Sequence, residues 1–306
     1  MKYFICSALL CLGAIAPAFA CNVCGCSAGG DYLGILPQYY DHYVGLQYQF
    51  RSFRSEHEPL KDGDPREHSK QYYNTLQLRA HYNLGSRVQL FAFVPYYSNV
   101  QQQDGVKTTT SGIGDASLLA NVVLLRKDNT DTKWQQLLMA GGGIKLPVGK
   151  YEGITVMDRE GLPNMQTGTG SWDFIADVNY TFRHKNTGLN LDASYTFTTA
   201  NREQYKYGNR LNSSLLAFYS LSKHKLKLLP QAGFRYEYVL HDYDNYPKKW
   251  LNEQTGGHML FASVGAQAYY NHWGVQAMYH VPLSQHYADG NVTAVTRTEA
   301  GILYLF

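Results

Sequence analysis

After its first twenty residues the chain has no apolar run approaching the roughly 18 residues a membrane-crossing helix needs, so no helical span is expected. Cysteine is scarce: there are five, all at or before Cys26, which leaves the long remainder without thiol or disulfide chemistry. Charge of one sign is also missing. The formal net charge is +3 and no block of like charges occurs, which argues against a nucleic-acid partner. Lys248 and Lys249, beside Tyr246 and Trp250, are the nearest thing to a basic patch and read as a solvated loop tip.

What is present begins at the N-terminus. Lys2, an apolar stretch from Phe4 to Ile15 and the small-x-small run Ala18-Phe19-Ala20 have the layout of a cleaved signal peptide over residues 1–20. Pro17 breaks any helix running into that site. The mature chain is then expected to begin at Cys21, exported and in an oxidising compartment.

From His42 onward one unit repeats, a segment of alternating character followed by a connection. Trp172, Phe174, Ala176, Val178, Tyr180 and Phe182 share one face, and Asp173, Asp177, Asn179, Thr181 and Arg183 the other. A period of two puts such sets on opposite faces of a strand, whereas a helix would mix them. Counting segments gives about twelve strands, an even number suited to a single-chain transmembrane barrel. They fall near 42–54, 70–84, 87–98, 112–125, 133–147, 171–184, 188–199, 208–221, 225–240, 258–271, 273–286 and 292–306. Connections alternate short and long, the long ones near 55–69, 99–111, 148–170, 200–207, 241–257 and 287–291. A barrel with short periplasmic turns and long outer loops has that parity, and a soluble sandwich has no reason for it.

The expected fold class is therefore all-β: an antiparallel up-and-down transmembrane barrel over 42–306, after a Cys-rich periplasmic segment at 21–41. The expected location is the Gram-negative outer membrane, with lipid as one partner and a small-molecule solute as another. Ala300, Ile302, Tyr304 and Phe306 share a face, and a terminal Phe306 resembles the signal read by barrel-assembly machinery. The Tyr residues, with Trp134, Trp172, Trp250 and Trp273 near strand ends, suit aromatic girdles.

Strand parity assigns a lumen. If apolar side chains meet lipid, then Arg79, His81, Asp115, Lys145, Asp173, Asp177, Arg183, Arg235, Glu237, His280, Arg297 and Glu299 point inward. The nearly balanced signs imply cross-strand pairing, since an unpaired charge in a confined interior is costly. Side-chain filling and a water-filled path both remain open at this width, because about eight strands give a filled barrel and 16–18 a channel. Met278, His280 and His286 fall on one face of a strand, a set able to hold a soft metal, though a Tyr- and His-rich wall is the plainer reading.

Three stretches go beyond pattern: Ser111-Gly112-Ile113-Gly114-Asp115, Gly141-Gly142-Gly143-Ile144-Lys145-Leu146-Pro147-Val148-Gly149-Lys150, and Gly168-Thr169-Gly170-Ser171-Trp172-Asp173-Phe174. Their order resembles the outer-membrane channel family named for the meta-pathway of phenol degradation. The resemblance spans roughly residues 110–185 by motif and implies a transporter-like barrel for small compounds, with no substrate residue carried over. The glycines also bare a patch of wall on which a plug can sit.

Cys21-Asn22-Val23-Cys24-Gly25-Cys26 resembles the start of small barrel proteins of Bacteroidetes-type bacteria. Three readings compete. Cys21 is lipidated; or Cys21 and Cys24 form a disulfide and leave Cys26 odd; or the three thiolates bind Cu(I), which soft trigonal ligand sets favour. The last makes copper binding or delivery the alternative to solute passage. No enzyme is expected: the His-x-Ser run of a barrel phospholipase is missing, and His241-Asp242 is only a faint echo of a barrel protease.

Overall fold

In a computed structural model of the chain, residues 42–57, 67–103, 105–129, 133–152, 163–244, 248–252 and 254–306 are described. The expected signal peptide at 1–20 and the expected Cys-rich segment at 21–41, with Cys21, Cys24 and Cys26, lie outside them. The strands, in chain order, are β1 His42–His57, β2 Glu67–Leu84, β3 Val88–Gln103, β4 Val106–Ile113, β5 Ala116–Asn129 and β6 Trp134–Leu146. They continue as β7 Asp173–His184, β8 Thr187–Phe197, β9 Tyr205–Lys206, β10 Arg210–Tyr219, β11 Leu221–Lys223 and β12 Leu226–Val239. The last are β13 Tyr243–Asp244, β14 Lys249–Trp250, β15 Gly257–Tyr270, β16 Trp273–Tyr287 and β17 Val292–Leu305.

Each long strand pairs antiparallel with its sequence neighbour. The ring closes where β1 meets β17, with Tyr43 opposite Leu305, and runs through the β10–β12 pairing. β4 and β5 make one stave, both laid against β3 and interrupted at Gly114 and Asp115; β10 and β11 make another. The result is a closed twelve-stranded barrel. Closure leaves no edge along the lipid-spanning height, the condition under which a sheet can lie in hydrocarbon.

The wall follows the alternation. Leu46, Leu78, Val94, Leu118, Leu191, Phe234, Val275 and Ile302 are exposed on its outside. Aromatic pairs edge this belt at the end of the short turns, where His42 stacks on Tyr82 at 4.4 Å and Trp273 meets Tyr304 edge-on at 5.1 Å. That end carries both His42 and Phe306 and is periplasmic by the rule of short inner turns. Phe306 packs near His42, with ring centroids 5.7 Å apart. Trp250 departs from the expected girdle. It lies in β14, within a three-stranded sheet of the outer loops, beside Tyr243.

A charge on the lipid face should cost according to depth. Leu78→Arg, in the middle of the belt, is expected to lower the unfolding free energy in vesicles by about 2–4 kcal/mol. Leu84→Arg at the rim is expected to lower it by about 0–1 kcal/mol. Denaturant titration of both checks the ordering, and equal effects would contradict this placement of the membrane.

Two expected boundaries move. The loop anticipated at 99–111 is a tight turn between extended strands, because β3 runs to Gln103 and β4 begins at Val106. Thr108, Thr109 and Thr110 are β-branched and sustain the ladder beyond the membrane. Gly105 at φ 79° makes the reversal. In the same way β1 and β2 extend to His57 and Glu67, shortening the loop anticipated at 55–69.

Candidate functional site: the barrel interior and its inserted segment

At Pro147 the β6 ladder stops, since proline has no amide hydrogen to donate. The chain then turns inward before β7. Asn164, Met165, Thr167 and Ser171 of this connection are all buried, and Met165 packs into an apolar cluster with Phe53, Tyr73, Met259, Phe261 and Tyr287 from the surrounding wall. Asn164 Nδ2 reaches Tyr73 Oη at 3.5 Å and Tyr207 Oη donates to Pro163 O at 3.1 Å, so the segment touches walls on several sides. Inside it, Gly149 and Gly168 cross so closely that a Cβ on Gly149 would lie 2.7 Å from the Gly168 Cα. Gly168 N donates to Lys150 O at 2.9 Å there.

One carboxylate ties this segment to the wall. Asp115, at the break between β4 and β5, accepts from Gly149 N at 3.0 Å, Thr169 N at 2.9 Å and Thr169 Oγ1 at 2.7 Å. Lys145 Nζ sits 3.1 Å from Asp115 and 2.7 Å from Asp173 Oδ2. Asp173 Oδ1 in turn accepts from Ser171 Oγ at 2.9 Å and Thr199 N at 3.2 Å. The three glycine-rich stretches singled out in the sequence thus meet at one latch. The bare wall patch is in use, since Thr167 passes over Gly112, where a Cβ would come within 3.4 Å.

Below the latch a buried polar belt crosses the lumen. Glu237 on β12 takes Arg235 Nε at 2.6 Å and also Arg297 Nη1 from β17, reaching past β15 and β16. Arg297 Nη2 lies 3.2 Å from Glu299 Oε1, and Glu299 accepts from Gln47 and Gln49, each at 2.9 Å. Arg79 Nη1 donates to Gln47 Oε1 at 2.6 Å. His280 is buried beside the belt, with Nδ1 2.7 Å from Ser263 Oγ and Nε2 3.4 Å from Glu299. His81 lies between Tyr43 and Phe91, at ring distances of 5.2 and 4.7 Å.

The interior is not the same all round. Toward the periplasmic end, Tyr43, Phe218, Leu229, Tyr269, Leu303 and Leu305 form an apolar cluster on the half built by β10–β17 and β1. On β5, β7 and β8 the wall carries a hydrogen-bonded polar stripe, interrupted on β5 by Leu119, which packs with Phe91 and Phe93. Asn121 donates to Asp177 at 2.6 Å, Asn179 to Asp192 at 3.0 Å, and Asn190 to Asn179 and Thr181 at 3.2 and 2.6 Å. Thr181 and Arg183 then line a cavity of about 240 Å³ at the periplasmic rim. Arg183 Nε donates to Lys185 O at 2.6 Å there, well away from the belt.

Met278, His280 and His286, which parity places on one face, do not come together, in keeping with the plainer reading of that strand. The register of β16 shifts between His280 and Tyr287, so Tyr287 turns inward and the His286 side chain is 61% exposed. Met278 accepts a hydrogen bond from Gln231 instead. No group of three His, Cys, Asp or Glu side chains placed to hold a metal occurs among the described residues.

Over the mouth, β9, β13 and β14 form a small sheet, and Asp242, the residue before β13, is buried beneath it. Its Oδ2 accepts from Tyr205 Oη at 2.6 Å and its Oδ1 from Gly208 N at 2.7 Å. Burial pushes the Asp242 carboxyl above the usual range, and burial beside that carboxyl raises the Tyr205 phenol.

No protein-family model and no curated protein matches this chain. Among solved structures, the COG4313 outer membrane channel from Pseudomonas putida F1 aligns over 91% of this chain and 100% of its own, with TM-score 0.64 and 14% identity. The β domain of the Bordetella autotransporter BrkA aligns over 87% and 100%, at TM-score 0.49 and 10% identity. The translocator domain of the autotransporter NalP from Neisseria meningitidis covers 89% and 91%, at 0.42 and 13%. At such identity the first of these speaks to fold, and the fold it shares is that of an outer-membrane barrel. The apolar exterior and sealed backbone place this chain in the outer membrane.

Proposed function

We propose that the barrel passes a small polar solute across the outer membrane. The observation that carries this is the polar stripe on β5, β7 and β8. Its polar side chains run from Ser117 and Lys145 through Asn121, Asp177, Asn179, Asp192 and Asn190 to the Thr181–Arg183 cavity, passing the buried apolar Leu119 on β5 and Met139 on β6. A barrel that served only as an anchor gains nothing from a polar wall on one side, where apolar packing is less costly. The inserted 163–171 segment is the gate on this route, held by Asp115. The twelve-strand width supports a narrow passage rather than a general porin, since much wider barrels are needed for an open aqueous pore. The likeness to a solved outer membrane channel and the motifs at residues 110–185 point the same way. The barrel itself performs no reaction in this account; its side chains bind, select and yield.

Liposome swelling tests this. Refolded barrel should admit solutes of a few heavy atoms, such as glycine or glycerol, and should exclude disaccharides. Swelling indistinguishable from protein-free liposomes for every solute would remove the proposal. No described residue bears on copper handling at the N-terminal cysteines.

A further inference from the structure

A second feature of the mouth has its own chemistry. Between the inserted segment and the wall lies a cavity of about 120 Å³, reached by Asn99 from β3 and Arg210 from the start of β10 on the far side of the ring. An apolar cavity of about 150 Å³ holds a benzene molecule, so this one suits a body of about six heavy atoms. The rings of Tyr73, Tyr97 and Tyr207 contribute its apolar surface.

Its polar groups are mismatched in a way that points to a ligand. Asn99 is 2% exposed, and its side-chain oxygen has no hydrogen-bond partner among the described residues. Arg210 Nε is buried and likewise lacks a partner there. Leaving such groups unmatched is costly, and more so for a charged one. The acids nearby are already committed. Asp115, the one acid lining the cavity, is taken up by Lys145, Gly149 and Thr169. Asp242, within electrostatic reach of Arg210, has one oxygen on Tyr205 and the other on Gly208.

We propose that this cavity binds a small carboxylate, gripped by the Arg210 guanidinium and the Asn99 carboxamide, with the tyrosine rings around its body. A guanidinium takes a carboxylate bidentately through parallel N–H donors. The Asn99 amide, rotated by 180° about its last bond, turns its NH₂ toward the same space. A neutral isostere fits the volume but forfeits the charge-assisted bonds. The site stands on this geometry and does not require the barrel to conduct.

The test is calorimetric titration of the refolded full-length barrel in detergent with butyrate, and with butyramide as the neutral isostere. Butyrate is expected to bind about tenfold or more tightly than butyramide. Arg210→Gln should remove that preference while the barrel keeps the heat-modifiable gel migration of a folded barrel. If Arg210→Gln does not fold, Asn99→Leu is expected to weaken butyrate several-fold and serves in its place. Equal affinities for butyrate and butyramide, or a butyrate affinity unchanged in the folded variant, would overturn the site. Displacement of butyrate by equimolar chloride would also overturn it, by showing a surface that takes any anion.

Discussion

Asp115→Ala is expected to raise the conductance or open probability of the reconstituted barrel by at least tenfold. The carboxylate makes two hydrogen bonds to the inserted segment, through Thr169 N and Thr169 Oγ1, a third to Gly149 N where the chain crosses it, and an ion pair with Lys145 on the wall. Bonds to a charged acceptor contribute about 1.5–3 kcal/mol each, although neighbours in one network do not add simply. Losing even about 3 kcal/mol of closing energy changes an open–closed ratio roughly a hundredfold. Lys145 still pairs with Asp173 in the variant, so the wall itself should hold. Single-channel recording at matched protein density checks this. Unchanged openings in a folded Asp115→Ala barrel would mean that the segment is fixed by its other contacts, chiefly Met165 and Tyr207, and is not a gate.

The second large effect concerns stability. Glu237 is the shared acceptor between Arg235 and Arg297, all three buried inside the barrel. Glu237→Leu leaves two guanidinium groups facing each other in a confined space, the situation in which breaking a buried pair costs about 3–5 kcal/mol. The double variant Glu237→Leu/Arg297→Met removes one of the two positive charges and is expected to recover part of that loss, because apolar replacements of a whole buried pair are often neutral. The comparison is made by denaturant unfolding in vesicles, read as a double-mutant cycle. Simple additivity of the two single changes would show that Glu237 and Arg297 are not coupled across β15 and β16.

The fold was legible because a barrel wall is one layer thick. Each residue faces either lipid or lumen, so a period of two in hydropathy is nearly a map of the structure. The alternation from Trp172 to Arg183 appears in the structure as exposed Trp172 and Phe174 beside buried Asp173 and Asp177. Parity also has a definite failure point. One irregularity in β16 reverses every assignment beyond it, which is why His286 sits outside while His280 sits inside.

The site was legible in part. Asp115, Lys145 and Asp173 stood out as charges in glycine-rich runs, but their convergence depends on where Pro147 turns the chain, a tertiary fact without a periodic signal. Asn164 and Met165 were hidden for the same reason. They lie in a polar connection that reads as solvated, and only contact with Tyr73 and the wall makes them interior. By sequence Asn99 opens an anticipated outer loop and Arg210 is an ordinary strand polar residue. What sets them apart is the mismatch between donors and acceptors at the mouth, which exists only once the barrel is closed.

The most direct measurement is single-channel recording from the wild-type barrel refolded into planar bilayers, at a protein load verified as folded by heat-modifiable migration. Discrete but small and infrequent current steps are expected from a narrow polar route behind a latched segment. A barrel that is folded, inserted and electrically silent, in the wild type and in Asp115→Ala alike, would contradict it.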